Sequence, residues 1–332
     1  TYTRVTLVEG AGYIAAINAD ADGELYAVDI ARSTLWRLEP TTPDAVGTPG
    51  WPAKLSQTGC FQDLQRRALV DGALPYSVNA PLWADGADKE RALVLPQGGT
   101  IGIPKSPAEG GDPEGRWQLP VGTVLIKSFV LQGRPLETRF LVQDADAWRG
   151  VTYRWNAEGS DADLLLDGAT EVIAGQLWHF PSRSECQTCH TRSSGQVLGL
   201  TTPQMNRSHD LLGTGVVPQI DALARLGYFS TAPAPQAQLA AFPPGDDGDA
   251  APQDLTRRAA AYLHANCAHC HNPSADARFS GLYLNVDATR PVAAPAITAS
   301  GVQIDSASRK LAPVRSQPLR STPWSDAPRK EQ

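Results

Sequence analysis

Methionine is nearly absent from this chain: Met205 is the only one in 332 residues. A site that needs two thioether ligands is therefore excluded. Cysteine is scarce too, and of its five residues all but Cys60 fall in two short clusters, which excludes a scaffold built on disulfides. No apolar run is long enough to span a bilayer. Nor is there a long run of one charge: 29 basic against 35 acidic residues give a net charge of −6, which argues against nucleic acid and anionic membrane as partners. The chain opens at Thr1 without an initiator methionine or a positively charged leader, so a mature or truncated product is expected. With 42% hydrophobic residues, this length suffices for more than one core, and two or three modules are expected.

What cysteine there is carries a pattern. Cys186-Gln187-Thr188-Cys189-His190 and Cys267-Ala268-His269-Cys270-His271 both read as c-type haem attachment sites. Covalent attachment needs two thiols for the two vinyl groups of one porphyrin, and an imidazole reaching its iron from the same side. Residues i, i+3 and i+4 supply this because they share one face of a helical turn. Cys186, Cys189, Cys267 and Cys270 are thus the expected thioether positions, with His190 and His271 as the proximal ligands of two covalent haems. A four-cysteine zinc site is the structural alternative, but Cys186 and Cys267 are separated by far more than the ~15 to 20 residues between pairs in common zinc ribbons. A thioredoxin-like dithiol has no need of the histidine that follows each motif.

The distal ligands are less determined. Met205, His264 and His209 are the candidates, with His179 and His269 as further imidazoles. Met205 follows soon after His190 and is equally read as core packing, and one methionine cannot serve two irons. Cys60, outside the motifs, reads as a buried small side chain, with a reactive thiol as the alternative.

Along the chain, residues 1 to 40 hold short β-like runs, Tyr13 to Ile17 and Glu24 to Asp29, around the turn cluster Asp20-Ala21-Asp22-Gly23. A Pro- and Gly-rich linker follows at 41 to 54. Within 55 to 72, Phe61, Leu64, Ala68 and Leu69 fall near helical spacing. The rest of residues 55 to 180 reads as a β-rich domain, an antiparallel sandwich with Trp83, Trp117, Trp148, Trp155 and Trp178 in its core. Asp85, Asp88, Asp144, Asp146, Asp161 and Asp163 read as turn residues rather than calcium ligands. A first haem unit at 181 to 231 and a Pro- and Ala-rich linker at 232 to 251 come next, then a second haem unit at 252 to 332. There Asp254 is placed to cap a helix with Leu255, Ala259, Tyr262 and Leu263 on its apolar face, running into Cys267.

Several runs carry a resemblance: "PYSVNAPLWADGADKERALVLP" at 75 to 96, "PVGTVLIKSF" at 120 to 129, "FPSRSECQTCH" at 180 to 190 and "YLHANCAHCH" at 262 to 271. From about residue 50 to about 290 the chain resembles exported bacterial di-haem c-type cytochromes, in which a β-rich region precedes two attachment motifs. The first 40 residues resemble the closing blade of soluble quinoprotein sugar dehydrogenases. The resemblance implies a mixed fold, mainly β and sandwich-like at the N-terminal side, with two small α-helical cytochrome c-like units. It implies export to the periplasm, with the signal peptide upstream, and electron transfer from a dehydrogenase to a cytochrome or oxidase-chain acceptor. Residues 290 to 332 depart from the family, since they lack the Met-Pro segment that usually offers a distal ligand, so the tail reads as divergent or incomplete. The alternatives are a di-haem peroxidase-like enzyme with one open haem, or a carbohydrate-binding or structural role for the β region.

Overall fold

A computed structural model describes residues 13–19, 25–30, 33–38, 51–105, 109–145, 147–211, 213, 215–244, 252–286, 296–298 and 301–303. The turn at 20 to 23, most of the 41 to 54 linker, Asp146, residues 245 to 251 and nearly all of the tail lie outside them. The fold is mainly β, with antiparallel sheets and few helices.

The first strands, β1 (Ile14–Ala19), β2 (Leu25–Asp29) and β3 (Thr34–Leu38), make a three-stranded antiparallel sheet, as their alternation suggests. Its apolar side chains Ile17, Leu35 and Trp36 are exposed. Tyr13, just before β1, hydrogen-bonds Asp276, and that carboxylate with burial pushes the phenol up to about 12.

The expected helix in 55 to 72 is absent. A single 3-10 turn, Leu55–Thr58, ends at Gly59, and β4 (Phe61–Asp63) then pairs with β5 (Ala68–Leu69) in a short hairpin. Gly59 at φ 70° and Arg67 at φ 52° are left-handed, which a continuous helix does not allow. Apolar residues at helical spacing meet the core here because the hairpin folds over it.

The centre is one six-stranded antiparallel sheet rather than two stacked sheets among the described residues. β6 (Leu74–Pro75), β7 (Asp88–Val94), β8 (Val124–Leu131), β9 (Arg134–Gln143), β10 (Trp148–Trp155) and β11 (Ala162–Leu165) lie side by side in chain order. Short connections join β8 to β9, β9 to β10 and β10 to β11, while the long segment 95 to 123 links β7 to β8. One face carries Ala92, Ile126, Phe140, Val151 and Tyr153, covered by Leu55 and the β4–β5 hairpin. The other face divides in two. Leu93, Leu125 and Leu141 join a cluster with Trp117, Trp148, Leu200 and Leu223, while Phe129 and Leu131 pack against Trp178 and Phe180. The latter two belong to the hairpin of β12 (Ala169–Ile173) and β13 (Gln176–Phe180). Four of the five tryptophans are core residues as expected; Trp83 is 62% exposed.

The remaining chain closes over this second face. It contains α1 (Arg183–Cys189), α2 (Thr202–Met205), a ribbon of β14 (Ser208–His209) and β15 (Val217–Pro218), α3 (Gln219–Arg225) and α4 (Pro252–Cys267). The described part of the 232 to 251 linker is a bonded strap: Gln236 Oε1 accepts from Ile220 N–H at 2.8 Å, and Asp221 Oδ1 accepts from Gln236 N–H at 2.8 Å. α4 is rich in alanine, the best helix former. Its buried face is not the expected one: Leu255 and Tyr262 are exposed, and Ala261 and Ala265 pack on Ala80 and Phe242. Small side chains let the helix approach closely where bulky ones would hold it off. A separate unit from Ala293 contributes the ribbon of β16 (Ala296–Thr298) and β17 (Gly301–Gln303).

Candidate functional site

The first motif begins within α1 and the second at the last residue of α4. α1 starts at a capping box, in which Ser182 Oγ accepts from Glu185 N–H at 3.3 Å and Glu185 Oε2 accepts from Ser182 N–H at 2.7 Å. The Ser182 N–H is the main cause that holds the Glu185 carboxyl below its usual range. Gln187 Nε2 donates to Trp148 O at 3.0 Å and ties the helix to β10. Beneath it lies Gly150, where a Cβ would stand 2.8 Å from the Cβ of Cys186. The missing side chain is what lets the first motif lie on the sheet.

The helical turn carries through the motif. His190 N–H donates to Cys186 O at 3.1 Å, so Cys186, Cys189 and His190 share one turn. The next loop folds back, and His190 Nδ1 donates to Gln196 O at 2.6 Å. A carbonyl can only accept, so the proton is on Nδ1 and Nε2 keeps its lone pair. The second motif repeats both bonds. His271 N–H donates to Cys267 O at 2.8 Å, and His271 Nδ1 donates to Leu282 O at 3.3 Å. An Nδ1–H to carbonyl bond is a usual way of orienting an imidazole whose other nitrogen ligates a metal.

The two motifs adjoin. Asn272, directly after the second, donates from Nδ2 to Ser193 O in the loop after the first, at 3.4 Å. Between the sheet, α1 and α4 lies a cavity of about 1460 Å³ of empty space, its open mouth included. Cys186, Cys189 and His190 line it from one side, His264, Ala268 and His269 from α4 and the turn after it.

Titration behaviour bears on the competing chemistries. Burial pushes the thiols of Cys186, Cys189 and Cys270 up. A redox dithiol needs the opposite, a thiol held low so that thiolate is present at neutral pH. Among the described residues no three His, Cys, Asp or Glu side chains converge as a metal cage would require. A haem iron needs no such cage, since the porphyrin supplies four nitrogens and the chain one or two more. The paired thiols and the free Nε2 atoms of both motifs fit that group; the first motif also lines the cavity and rests in the recess at Gly150, while Cys267, Cys270 and His271 do not line it.

The distal candidates separate. Met205 is fully buried in the core, where its Sδ accepts from Gln219 Nε2 at 3.6 Å. His209 lies on the β14–β15 ribbon, and His179 bonds Thr170 and Glu185; none of the three lines the cavity. His264 does, but its Nδ1 accepts from Val286 N–H at 2.9 Å, so its proton is on Nε2, 4.0 Å from Glu114 Oε2. Neither nitrogen then offers a lone pair to the cavity. Burial, with Arg116, pushes this imidazole down to about 4. His269 also lines the cavity, and its Nδ1 is buried with no partner among the described residues.

Sequence reasoning did not find Gly150, nor the cations Arg91, Lys127 and Arg139 that line the same cavity. A signal was present in β8, where Lys127 interrupts the apolar run Val124 to Leu131. Of the other sequence expectations, Cys60, read as a buried side chain, is only half-buried against the core, with burial pushing its thiol up. Asp161 and Asp163 bind Ser56 and Lys54. No known family, curated protein or solved structure matches this chain.

Proposed function

We propose that this chain is a di-haem c-type cytochrome that carries electrons outside the cytoplasm. The observation that carries the reading is the repeated bond: His190 to Gln196 O and His271 to Leu282 O, each leaving Nε2 free one turn from two thiols. Cys186 and Cys189 would hold one haem and Cys267 and Cys270 the other, with His190 and His271 as proximal ligands. When bound, each haem supplies a one-electron iron couple. The chain's part is to orient the imidazoles, keep the macrocycle out of water and set the two sites side by side. Contact between Asn272 and Ser193 supports exchange between the two centres. His269, with its unpartnered nitrogen, is the side chain best suited to close the first site.

The donor in this reading is a dehydrogenase, and the sheet β1 to β3 is a closing propeller blade of a quinoprotein sugar dehydrogenase joined upstream. Its exposed Ile17, Leu35 and Trp36 support that, since a blade's apolar faces are covered by neighbouring blades. The acceptor is a cytochrome or an oxidase chain in the periplasm. No helix among the described residues is long and apolar enough to cross a membrane.

Expression with a periplasmic haem-maturation system tests the reading. Haem-stained denaturing gels and intact mass are expected to give two covalent haems per chain. A mass without haem ends it.

A further inference from the structure

Three cations stand in one row across the middle of the sheet. Arg91 of β7 is directly opposite Lys127 of β8, and Lys127 directly opposite Arg139 of β9. Like charges in directly opposed positions destabilise a sheet. On the same face the row borders the apolar row Leu93, Leu125 and Leu141 on one side and the row Lys89, Phe129 and Glu137 on the other, which adds a fourth cation and one carboxylate.

The carboxylates nearby do not balance this charge. Glu137 is fully buried and is held by Arg139, with Nε–Oε2 at 3.0 Å and Nη2–Oε1 at 2.5 Å. Glu114 pairs with Arg116 at 2.7 Å, and Glu185 is committed to Ser182 and His179. Arg91 donates one Nη1 to Lys89 O at 3.1 Å, and no carboxylate pairs with it among the described residues. Lys127 has neither a hydrogen bond nor an ion pair among them; its Nζ lies 6.0 Å from the Phe129 ring. Burial, then Arg91, Arg139 and Lys89, push its ammonium down to about 7. A row so placed is costly to the bare chain and is relieved by an anion lying across it.

We propose that Arg91, Lys127 and Arg139 form an anion site that takes the two propionate carboxylates of the haem carried by Cys186 and Cys189. This rests on the haem reading above. The row and the first motif line one cavity, and α1 is seated at Gly150, on the strand next to Arg139. The site gives that haem its orientation as well as its counter-charges: the thioethers fix one edge of the macrocycle, the cations the carboxylate edge.

The test uses the matured full chain and its Lys127→Met and Arg91→Gln variants. Both variants are expected to keep two covalent haems by mass while one of the two midpoint potentials moves down and the other stays. Loss of a nearby cation favours the oxidised iron, so the sign is fixed. In matured protein Lys127→Met is expected to lower the melting temperature; in a chain that also carries C186A and C189A it is expected to raise it, because the cation there has no counter-charge. If that chain does not fold, the potentials decide alone. Two haems with both potentials unmoved in both variants would overturn the assignment and leave the haem reading standing. Added succinate or inorganic phosphate that shifts the wild-type spectrum but not that of Lys127→Met would assign the row to a diffusible anion and overturn it as well. A mass without haem removes the proposed function and this inference together.

Discussion

A Cβ placed on Gly150 would stand 2.8 Å from the Cβ of Cys186 and 3.0 Å from its sulfur. Gly150 is paired with Leu141 in the sheet, so its backbone has little room to retreat. Gly150→Ala is expected to push α1 off the strand at a cost of about 1 to 3 kcal/mol. Haem content should fall from two per chain toward one, with peptide mapping showing the loss at Cys186 and Cys189. Two haems at full yield would mean that the first motif does not depend on this recess.

Replacing either proximal histidine should leave the thioethers able to form. His190→Ala and His271→Ala are each expected to change the spin state of one haem, read as the loss of half the low-spin signal in electron paramagnetic resonance. The two motifs have separate helices and separate carbonyl partners, Gln196 and Leu282, which is why the effects should be local. Collapse of both spectra from one substitution would show that the sites are one unit.

Met205 has no surface and its sulfur already accepts from Gln219. Met205→Leu is therefore expected to cost under about 1.5 kcal/mol and to leave both haem spectra alone. Neither haem should show the near-infrared sulfur-to-iron band, because the chain's one methionine is buried away from the cavity. His269→Ala, by contrast, is expected to open the first haem to carbon monoxide. A single methionine-ligated haem would contradict the assignment.

Acid should destabilise the chain through His264. Its folded-state pKa is pushed down to about 4, mainly by burial and further by Arg116, so between that value and the ordinary 6.5 the unfolded chain binds more protons. Stability from this group then rises with pH across that window, by at most about 1.4 kcal/mol per unit. Glu114, whose carboxyl burial pushes up, works in the opposite direction. Its folded form holds a proton longer, so its contribution falls as pH rises. The clean measurement is the difference between wild type and His264→Gln in melting temperature against pH. The wild-type slope should be the steeper of the two.

The two Cys-x-x-Cys-His turns were legible because their geometry is local: thiols and imidazole at i, i+3 and i+4 are a property of a single turn, whatever surrounds it. The strands β8, β9 and β10 were legible for the same reason, as short runs of β-favouring residues bounded by turn clusters. The Leu55 to Gly72 stretch was misread because apolar spacing there is shared by a helix and by a hairpin folded onto a core, and two left-handed residues decide between them. Trp83 and the inner face of α4 depend on what lies opposite, which no local pattern encodes.

Which nitrogen of His264 carries its proton is set by Val286, and which carbonyl orients His190 by Gln196, both through loops whose return path is tertiary. The cationic row has the same origin. In the sequence Lys127 stands out only as a break in an apolar run and Arg91 and Arg139 not at all; strand register alone sets the three side by side. The sequence by itself determined which thiols and imidazoles share one turn, since that needs only neighbouring residues. Tertiary structure decided how the two sites adjoin and which charges face them, because those contacts join residues that only packing brings together.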